Sequence, residues 1–464
     1  MKTRLSILLI LGILFAFPAS VLAQDQAVDG AVYQVQPGDT LWGIALSFGV
    51  SLDELARVNG ISNQDQLVIG ADLIIPGLSG VNGRLTTQVM PLGEDLFSLS
   101  RAYQIAPAAL AQLNRLVNPQ ELYAGANLIL LEEQALTGAY SRASIPPGGS
   151  LLELAITSGA NAWAVASENY LANRWSPLAG DILRLPAGDT AVQAGPGALP
   201  AGVQSMELVG LPLEQGDTAV IRLSGEAIQE LSGSFLDHEL DFYGPSSELA
   251  ALQGVHAMLE PGFYPLLLTG SLADGSEFAF QQMVAVRDAG FLYSPPLIVD
   301  PETTDPAITV PENEQVLAIV SQNTSEKLWQ GVFASPVWDA TCITSQFGER
   351  RSYNGSPYDF FHSGTDFCGN IGNDIYAPAA GRVVFTGDLI VRGNFTILDH
   401  GWGIYTAYMH QSEILVSEGD LVEPGQLIGK VGNTGRVEGP HLHWEVWVNG
   451  VQVDALYWLE TSYP

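Results

Sequence analysis

Positive charge is what this chain has least of. Its 464 residues hold 18 Lys and Arg against 50 Asp and Glu, a formal net charge of −32. Nucleic acids and anionic membranes are gripped by clustered Lys and Arg, so the balance argues against both as partners. Long apolar runs are also missing beyond the first residues, which leaves no candidate membrane span. Charged residues make up only 15% of the chain and apolar residues 47%, a globular composition and not that of an acidic disordered chain. Cysteine is scarce: Cys342 and Cys368 stand alone. An isolated pair in an exported chain reads as a disulfide, with two buried free thiols as the alternative.

Export is read from the N-terminus. Lys2 and Arg4 precede an apolar core from Leu5 to Phe17, and Val21-Leu22-Ala23 gives a small-residue cleavage site. Residues 1–23 are therefore expected to be a secretory signal, and the product to be secreted, either soluble or held to a surface by binding.

Histidine is rare as well, but it is clustered. Five of the seven histidines lie between His362 and His443. In Gly439-Pro440-His441-Leu442-His443-Trp444-Glu445 the two imidazoles are two apart in a strand-like run, so period-two geometry puts them on one face. Upstream, His362-Ser363-Gly364-Thr365-Asp366 sets a histidine and a carboxylate four apart, with a Gly to let the backbone bend. Tyr408-Met409-His410 ends another strand-like run. Two neutral imidazoles and a carboxylate are the donor set of a catalytic zinc site with one position left open.

These motifs resemble the lysostaphin-type, or LytM-like, zinc endopeptidases that cut peptidoglycan. The resemblance runs from about Leu328 to Leu459 and also uses Ile343-Thr344-Ser345-Gln346-Phe347-Gly348, Ala377-Pro378-Ala379-Ala380-Gly381 and Gly425-Gln426-Leu427-Ile428-Gly429. It implies one zinc ion per catalytic domain, with His362, Asp366 and His443 as ligands. His410 and His441 would be the non-ligand histidines that move protons. His400, in Asp399-His400-Gly401, is expected in a turn with a structural role, and Asn394 resembles a position near the site in relatives.

The N-terminal half is a repeat. Asn59, Asn114 and Asn169 recur at 55-residue spacing, as do Gly38, Gly93 and Gly148, and Gly70, Gly125 and Gly180. Each unit reads strand, turn, helix, helix, strand. Asp39 or Thr40 is expected to cap the first helix, and Ser51 with Glu54 to form a capping box. The units resemble LysM, a βααβ module that binds N-acetylglucosamine-containing glycans. The helix-opening turn Pro37-Gly38-Asp39-Thr40-Leu41 matches the family most fully. Leu92-Gly93-Glu94-Asp95-Leu96 departs from it, and Pro147-Gly148-Gly149-Ser150-Leu151 loses the acidic residue. Glycan binding is accordingly expected to fall from the first unit to the third.

The resulting fold class is multidomain: three βααβ LysM-type repeats, a β-sandwich domain, and a C-terminal, mostly antiparallel β catalytic domain. Expected boundaries are 1–23 signal, 31–77 LysM, 84–132 LysM-like and 141–187 degenerate LysM-like. They continue with 204–290 Ig-like β-sandwich, 291–327 linker and helix, and 328–464 zinc metallopeptidase. In the sandwich, strands are expected at Thr218 to Leu223, Gly233 to Tyr243, Tyr264 to Thr269 and Phe278 to Val286. His238 and His256 lie there without a partner motif. A helix is expected to open at Pro311. Together these imply a secreted zinc endopeptidase cleaving peptide cross-links or stem peptides of peptidoglycan, held on wall glycan by LysM modules. The alternative is a non-catalytic LytM-type activator of cell-wall amidases, a role that some relatives took on after losing their zinc ligands.

Overall fold

A computed structural model describes residues 31–63, 67–78, 80–103, 105–118, 122–132, 140–145, 148–171, 177, 181–186, 199–200, 202–225 and 228–464. The expected signal segment and most of the Gly/Pro-rich stretch after Gly188 lie outside these residues. Among the described residues no helix is long and apolar enough to cross a membrane.

The first two units share one sheet. Strand Ala31–Gln34 pairs antiparallel with Asp72–Ile74 and parallel with Gly83–Val89, which pairs antiparallel with Asn127–Leu131. In unit 1 the cap of helix Leu41–Ser47 is Thr40, whose side chain accepts from Gly43 N. Asp39 instead turns back to accept from the Tyr33 hydroxyl and Gln36 N. Ser51 caps helix Leu52–Val58 by accepting from Glu54 N. Such a cap is worth about 1 kcal/mol, which matters for seven-residue helices that cannot stand alone.

The asparagine repeat has a structural cause. Asn59, Asn114 and Asn169 each donate to the carbonyl four residues back, Leu55, Leu110 and Val165. Each also donates to, and accepts from, the main chain of one strand residue: Ile74, Ile129 or Arg184. One amide side chain thus ties the second helix of a unit to its last strand in all three places. Unit 2 is locked to unit 1 by Arg115, which donates to Phe48 O, Gly49 O and Pro76 O.

The middle segment forms a five-stranded and a three-stranded sheet around a shared core that includes Leu208, Ile221, Leu223, Leu266, Leu268 and Val284. The run expected as one strand, Gly233 to Tyr243, is a hairpin corner. Strand Ile228–Phe235 turns at Leu236-Asp237, both left-handed (φ 53° and 63°), into His238–Glu239. This two-residue turn matches the strand twist. Asn449 ties these sheets to the last domain by donating to Glu239 O and Gln253 Oε1, and Trp458 does so by donating to Thr218 Oγ1.

Residues 291–300 run along the C-terminal domain: Ser294 N donates to Arg350 O and Leu297 N to Ser352 O. The helix that follows is Pro306–Val320, five residues longer at its start than expected from Pro311. Asp305 caps it by accepting from Ala307 N, and Pro306 takes the first helical position, where a missing N–H costs nothing. Pro311 lies inside the helix, where it forgoes one hydrogen bond.

The C-terminal domain is built on an eight-stranded antiparallel sheet. Ile343–Ser345, Thr365–Cys368, His441–Val448, Ile404–Gln411, Gly393–Gly401, Gly381–Leu389 and Leu421–Val422 lie in that order, and Val451–Val453 pairs with His441–Val448. Phe367, Leu398, Tyr408, Leu442, Trp444 and Val446 fill one side of it. Cys342 and Cys368 form a disulfide across a sequence separation of 26 residues. Closing a loop of that size stabilises by roughly 3–4 kcal/mol on the chain-entropy account.

Candidate metal centre

Register brings the motifs together. Asp366 lies directly opposite His443 in the pairing of Thr365–Cys368 with His441–Val448, and Met409 lies opposite His443 on the other side. His362 stands just before the first of these strands. Gly364 between them is needed for close approach: a Cβ there would sit 2.3 Å from Trp444 O. The chain does bend at Gly364, as expected, without entering the left-handed region.

Hydrogen bonds behind the rings fix which nitrogens are bare. His362 Nδ1 is 2.8 Å from Gln346 O, and a carbonyl can only accept, so the proton is on Nδ1. His362 Nε2, without a proton, faces Asp366 Oδ1 and His443 Nδ1, each at 3.0 Å. His443 Nε2 faces Glu445 Oε1 at 3.3 Å, which puts its proton on Nε2 and its lone pair at Nδ1, 2.8 Å from Asp366 Oδ1. Ligating atoms of His362, Asp366 and His443 all lie within 4.8 Å of one another, and all three residues are buried. Three lone-pair-bearing atoms aimed at one point repel unless a cation stands among them, so this donor set fits a metal ion.

The charges respond accordingly. Burial works against a charged Asp366, yet His362 and His443 hold its carboxyl well below the usual range. Burial alone would lower His443, but hydrogen bonds and charge from Asp366 and Glu445 push it up to about 9. The centre demands positive charge. Glu445 is fully buried and also accepts from Trp447 Nε1 at 2.8 Å. Arg351 Nη2 is 3.6 Å from the other Asp366 oxygen.

His410 and His441 flank this group. Their ring centroids are 4.9 Å apart, and His410 is 6.0 Å from the His443 ring. Nδ1 of His410 donates to Thr434 O and that of His441 to Gly439 O, both at 2.8 Å, so the neutral form of either ring carries its lone pair on Nε2, and His441 Nε2 lies 3.5 Å from Asp366 Oδ1. Burial, then the charges of His443 and His441, hold His410 well below the ordinary imidazole range. His410 has a left-handed backbone (φ 62°), a strained choice for a non-glycine residue. Its N–H is held by Arg392 O. Arg392 is in turn gripped by Glu312 of helix Pro306–Val320, whose carboxylate accepts from Val391 N, Arg392 N and Arg392 Nη1.

The remaining candidates serve elsewhere. His400 lies inside strand Gly393–Gly401 and not in a turn. It bridges Ala380 O and Thr406 Oγ1, and burial lowers it to about 4. Asn394 donates to Gln411 O and, through its main chain, to Thr434 Oγ1, bracing the residue that anchors His410. His256 of the middle segment packs against Phe361 of the C-terminal domain, and His238 opens the second strand of the hairpin, opposite Phe235. Sequence reasoning missed Glu445, Arg351 and Glu312. The first was legible: it continues the period-two face of His441 and His443. Nothing local marks the other two.

Residues 360–455 match Peptidase family M23, and residues 33–76 and 92–130 match the LysM domain. Among curated proteins the chain is similar to the peptidoglycan DD-endopeptidase ShyA of Vibrio cholerae, 43% identical over 121 residues that cover 26% of this chain and 28% of that protein. It is also similar to the DD-carboxypeptidase/endopeptidase Mpg of Neisseria meningitidis, 40% identical over 95 residues, 20% of this chain and 22% of that protein. The matched stretch is thus less than a third of either relative. Among solved structures, the catalytic domain of the prophage-encoded M23 protein EnpA from Enterococcus faecalis is 30% identical, with 26% of this chain and 94% of that chain covered and a TM-score of 0.23. Residues 360–455 therefore belong to Peptidase family M23, in a chain that also carries LysM domains.

Proposed function

We propose that this chain is an exported zinc endopeptidase that cleaves peptide cross-links or stem peptides of peptidoglycan. The observation that carries the reading is the convergence of two bare ring nitrogens and a carboxylate oxygen beside two imidazoles that are each bare at Nε2. Zinc held by His362, Asp366 and His443 supplies a Lewis acid for the scissile carbonyl and lowers the pKa of water to about 7. The chain's own part is proton handling. His410 and His441, tied at Nδ1, present a basic Nε2 that takes a proton from water and returns it to the leaving amine. Glu445 keeps the His443 proton on Nε2 and so the lone pair on the metal side. The two curated relatives named above are a DD-endopeptidase and a DD-carboxypeptidase/endopeptidase, which favours a peptide bond of the wall as substrate.

The same reading assigns residues 31–77, 84–132 and 141–187 as three LysM-type units, supported by the three identical asparagine ties. Residues 204–290 are read as a β-sandwich, 291–327 as a linker and helix that pack on the peptidase domain, and residues 1–23 as a signal. Digestion of purified peptidoglycans of differing cross-link chemistry, with the new termini identified by mass spectrometry, tests the activity. New amine termini are expected. A zinc-free protein that cuts nothing yet stimulates an amidase would transfer the case to the activator reading.

A further inference from the structure

The first two LysM units present the same end of the module to different surroundings. In unit 1 the chain before the first helix meets the loop before the last strand: Val35 N donates to Ala71 O and Gly70 N to Val35 O. Unit 2 repeats both bonds 55 positions on, with Met90 N to Ala126 O and Gly125 N to Met90 O. The two ends are therefore equivalent residue by residue.

In unit 2 that end is buried in the middle segment. Gln282 accepts from Gly93 N at 2.7 Å and donates to Glu94 O at 3.1 Å, closing over the helix-opening turn. Ala124 pairs with strand Glu277–Arg287, its N–H donating to Met283 O and its carbonyl accepting from Ala285 N. Arg287 donates to Gly125 O and Asn127 Oδ1, and the Tyr123 ring lies 4.1 Å from that of Phe263. Leu92 and Ala124 are 2% and 0% exposed and belong to the core of the middle sheets. In unit 1 the positions matching Tyr123 and Ala124 are Val68 and Ile69, and these are 69% and 63% exposed.

We infer that unit 2 is a joint and not a wall-binding module: its loop end fixes the N-terminal pair to the middle sheets, and the matching open end of unit 1 takes the glycan. This rests on the reading of LysM units as glycan binders. A neutral sugar chain suits an apolar pair flanked by main-chain groups in a strongly acidic protein, because pyranose faces pack on aliphatic carbons while hydroxyls bond to backbone. Unit 1 is itself tied to unit 2 by the shared sheet and Arg115, and the middle sheets to the peptidase domain by Asn449 and Trp458. Glycan held by unit 1 thus sits at a set position relative to the metal centre, in contrast to a module on a free tether.

The test uses the full-length, zinc-loaded protein and a hexamer of N-acetylglucosamine. Hydrogen exchange without glycan should show Gly93, Ala124 and Ala285 amides protected. Adding the hexamer should raise protection at Gly70 and its neighbours in unit 1 and leave those three unchanged. Val68→Asp with Ile69→Asp should weaken hexamer binding by roughly tenfold or more, since a carboxylate resists desolvation in the contact, while melting temperature and turnover of a soluble peptide stay at parent values. A glycan-dependent change at Ala124 and Ala285 would overturn the inference, because unit 2 would then be opening to bind. So would unprotected Gly93, Ala124 and Ala285 in the free protein. Protected joint amides in a chain that binds no hexamer would uphold the joint and remove the glycan-binding reading instead.

Discussion

Two imidazoles whose centroids lie 6.0 Å apart, His443 and His410, are driven in opposite directions by what stands behind them. His443 is buried between Asp366 and Glu445, and the two carboxylates override burial and lift it to about 9. His410 is backed by the neutral carbonyl of Thr434, and burial beside other imidazoles keeps it far below 6.5. One environment favours a cation at rest, the other favours the neutral ring. Groups pushed apart in this way are how a single site holds both an electrophile and a base near neutral pH. The difference divides the five residues into a metal set, His362, Asp366 and His443, and a proton set, His410 and His441.

Breaking the metal set should have the largest effect. His443→Ala leaves two donors where a stable catalytic zinc uses three, so zinc content and turnover on peptidoglycan should vanish together. Breaking the proton set should cost less and leave the metal. Removal of a positioned acid–base group typically slows a reaction about 10²–10⁴-fold. His410→Ala and His441→Ala should therefore fall in that range while elemental analysis still finds close to one zinc per chain. A zinc-free His410→Ala protein would erase the division.

The carboxylate behind His443 sharpens the comparison. Glu445→Gln keeps an oxygen for the Nε2 proton but removes the charge. Partners of metal-bound histidines typically contribute about 10–100-fold to affinity. Competition against a chelator should show a loss of that size, with turnover restored by added zinc. Unchanged affinity would mean that Glu445 only fills space.

Much of this division could be read before the fold was known, for a physical reason. His441, His443 and Glu445 share a strand face by period two, and His362 with Asp366 form a compact local motif, so their chemistry is written in short spacings. Pairing Asp366 with His443 needs only the register of adjacent strands. The supports of His410 are different in kind. Thr434 O, Arg392 O and Glu312 come from a loop, a turn and a helix far apart in sequence, and two of the contacts are made by main chain, which carries no residue signature. The covered end of unit 2 was hidden likewise, since Tyr123 and Ala124 look no different from loop residues until Glu277–Arg287 is laid against them. Helix Pro306–Val320 begins five residues before Pro311, whose pattern resembles a helix start, because Asp305-Pro306 already supplies cap and first turn.

That helix offers the finest test of the proton set. Glu312 touches neither metal nor substrate position; it acts on His410 through Arg392, whose carbonyl holds the His410 N–H in its left-handed conformation. Both members of the pair are buried, at 6% and 8% exposure. Glu312→Ala leaves a guanidinium in the interior without its partner, which typically costs about 3–5 kcal/mol of stability. The loop 391–394 should relax, and His410 should lose the geometry that aligns its Nε2. Because the imidazole itself remains, the rate loss should be smaller than for His410→Ala, on the order of tenfold. It should appear in kcat with KM and zinc content unchanged. Glu312→Gln keeps one oxygen for the Val391 and Arg392 amides and should recover most of kcat, although the charge is gone. A fall in kcat for Glu312→Ala that Glu312→Gln does not recover would show that charge, and not the placement of His410, is what the helix contributes. Loss of zinc in either variant would show that the two sets are not independent.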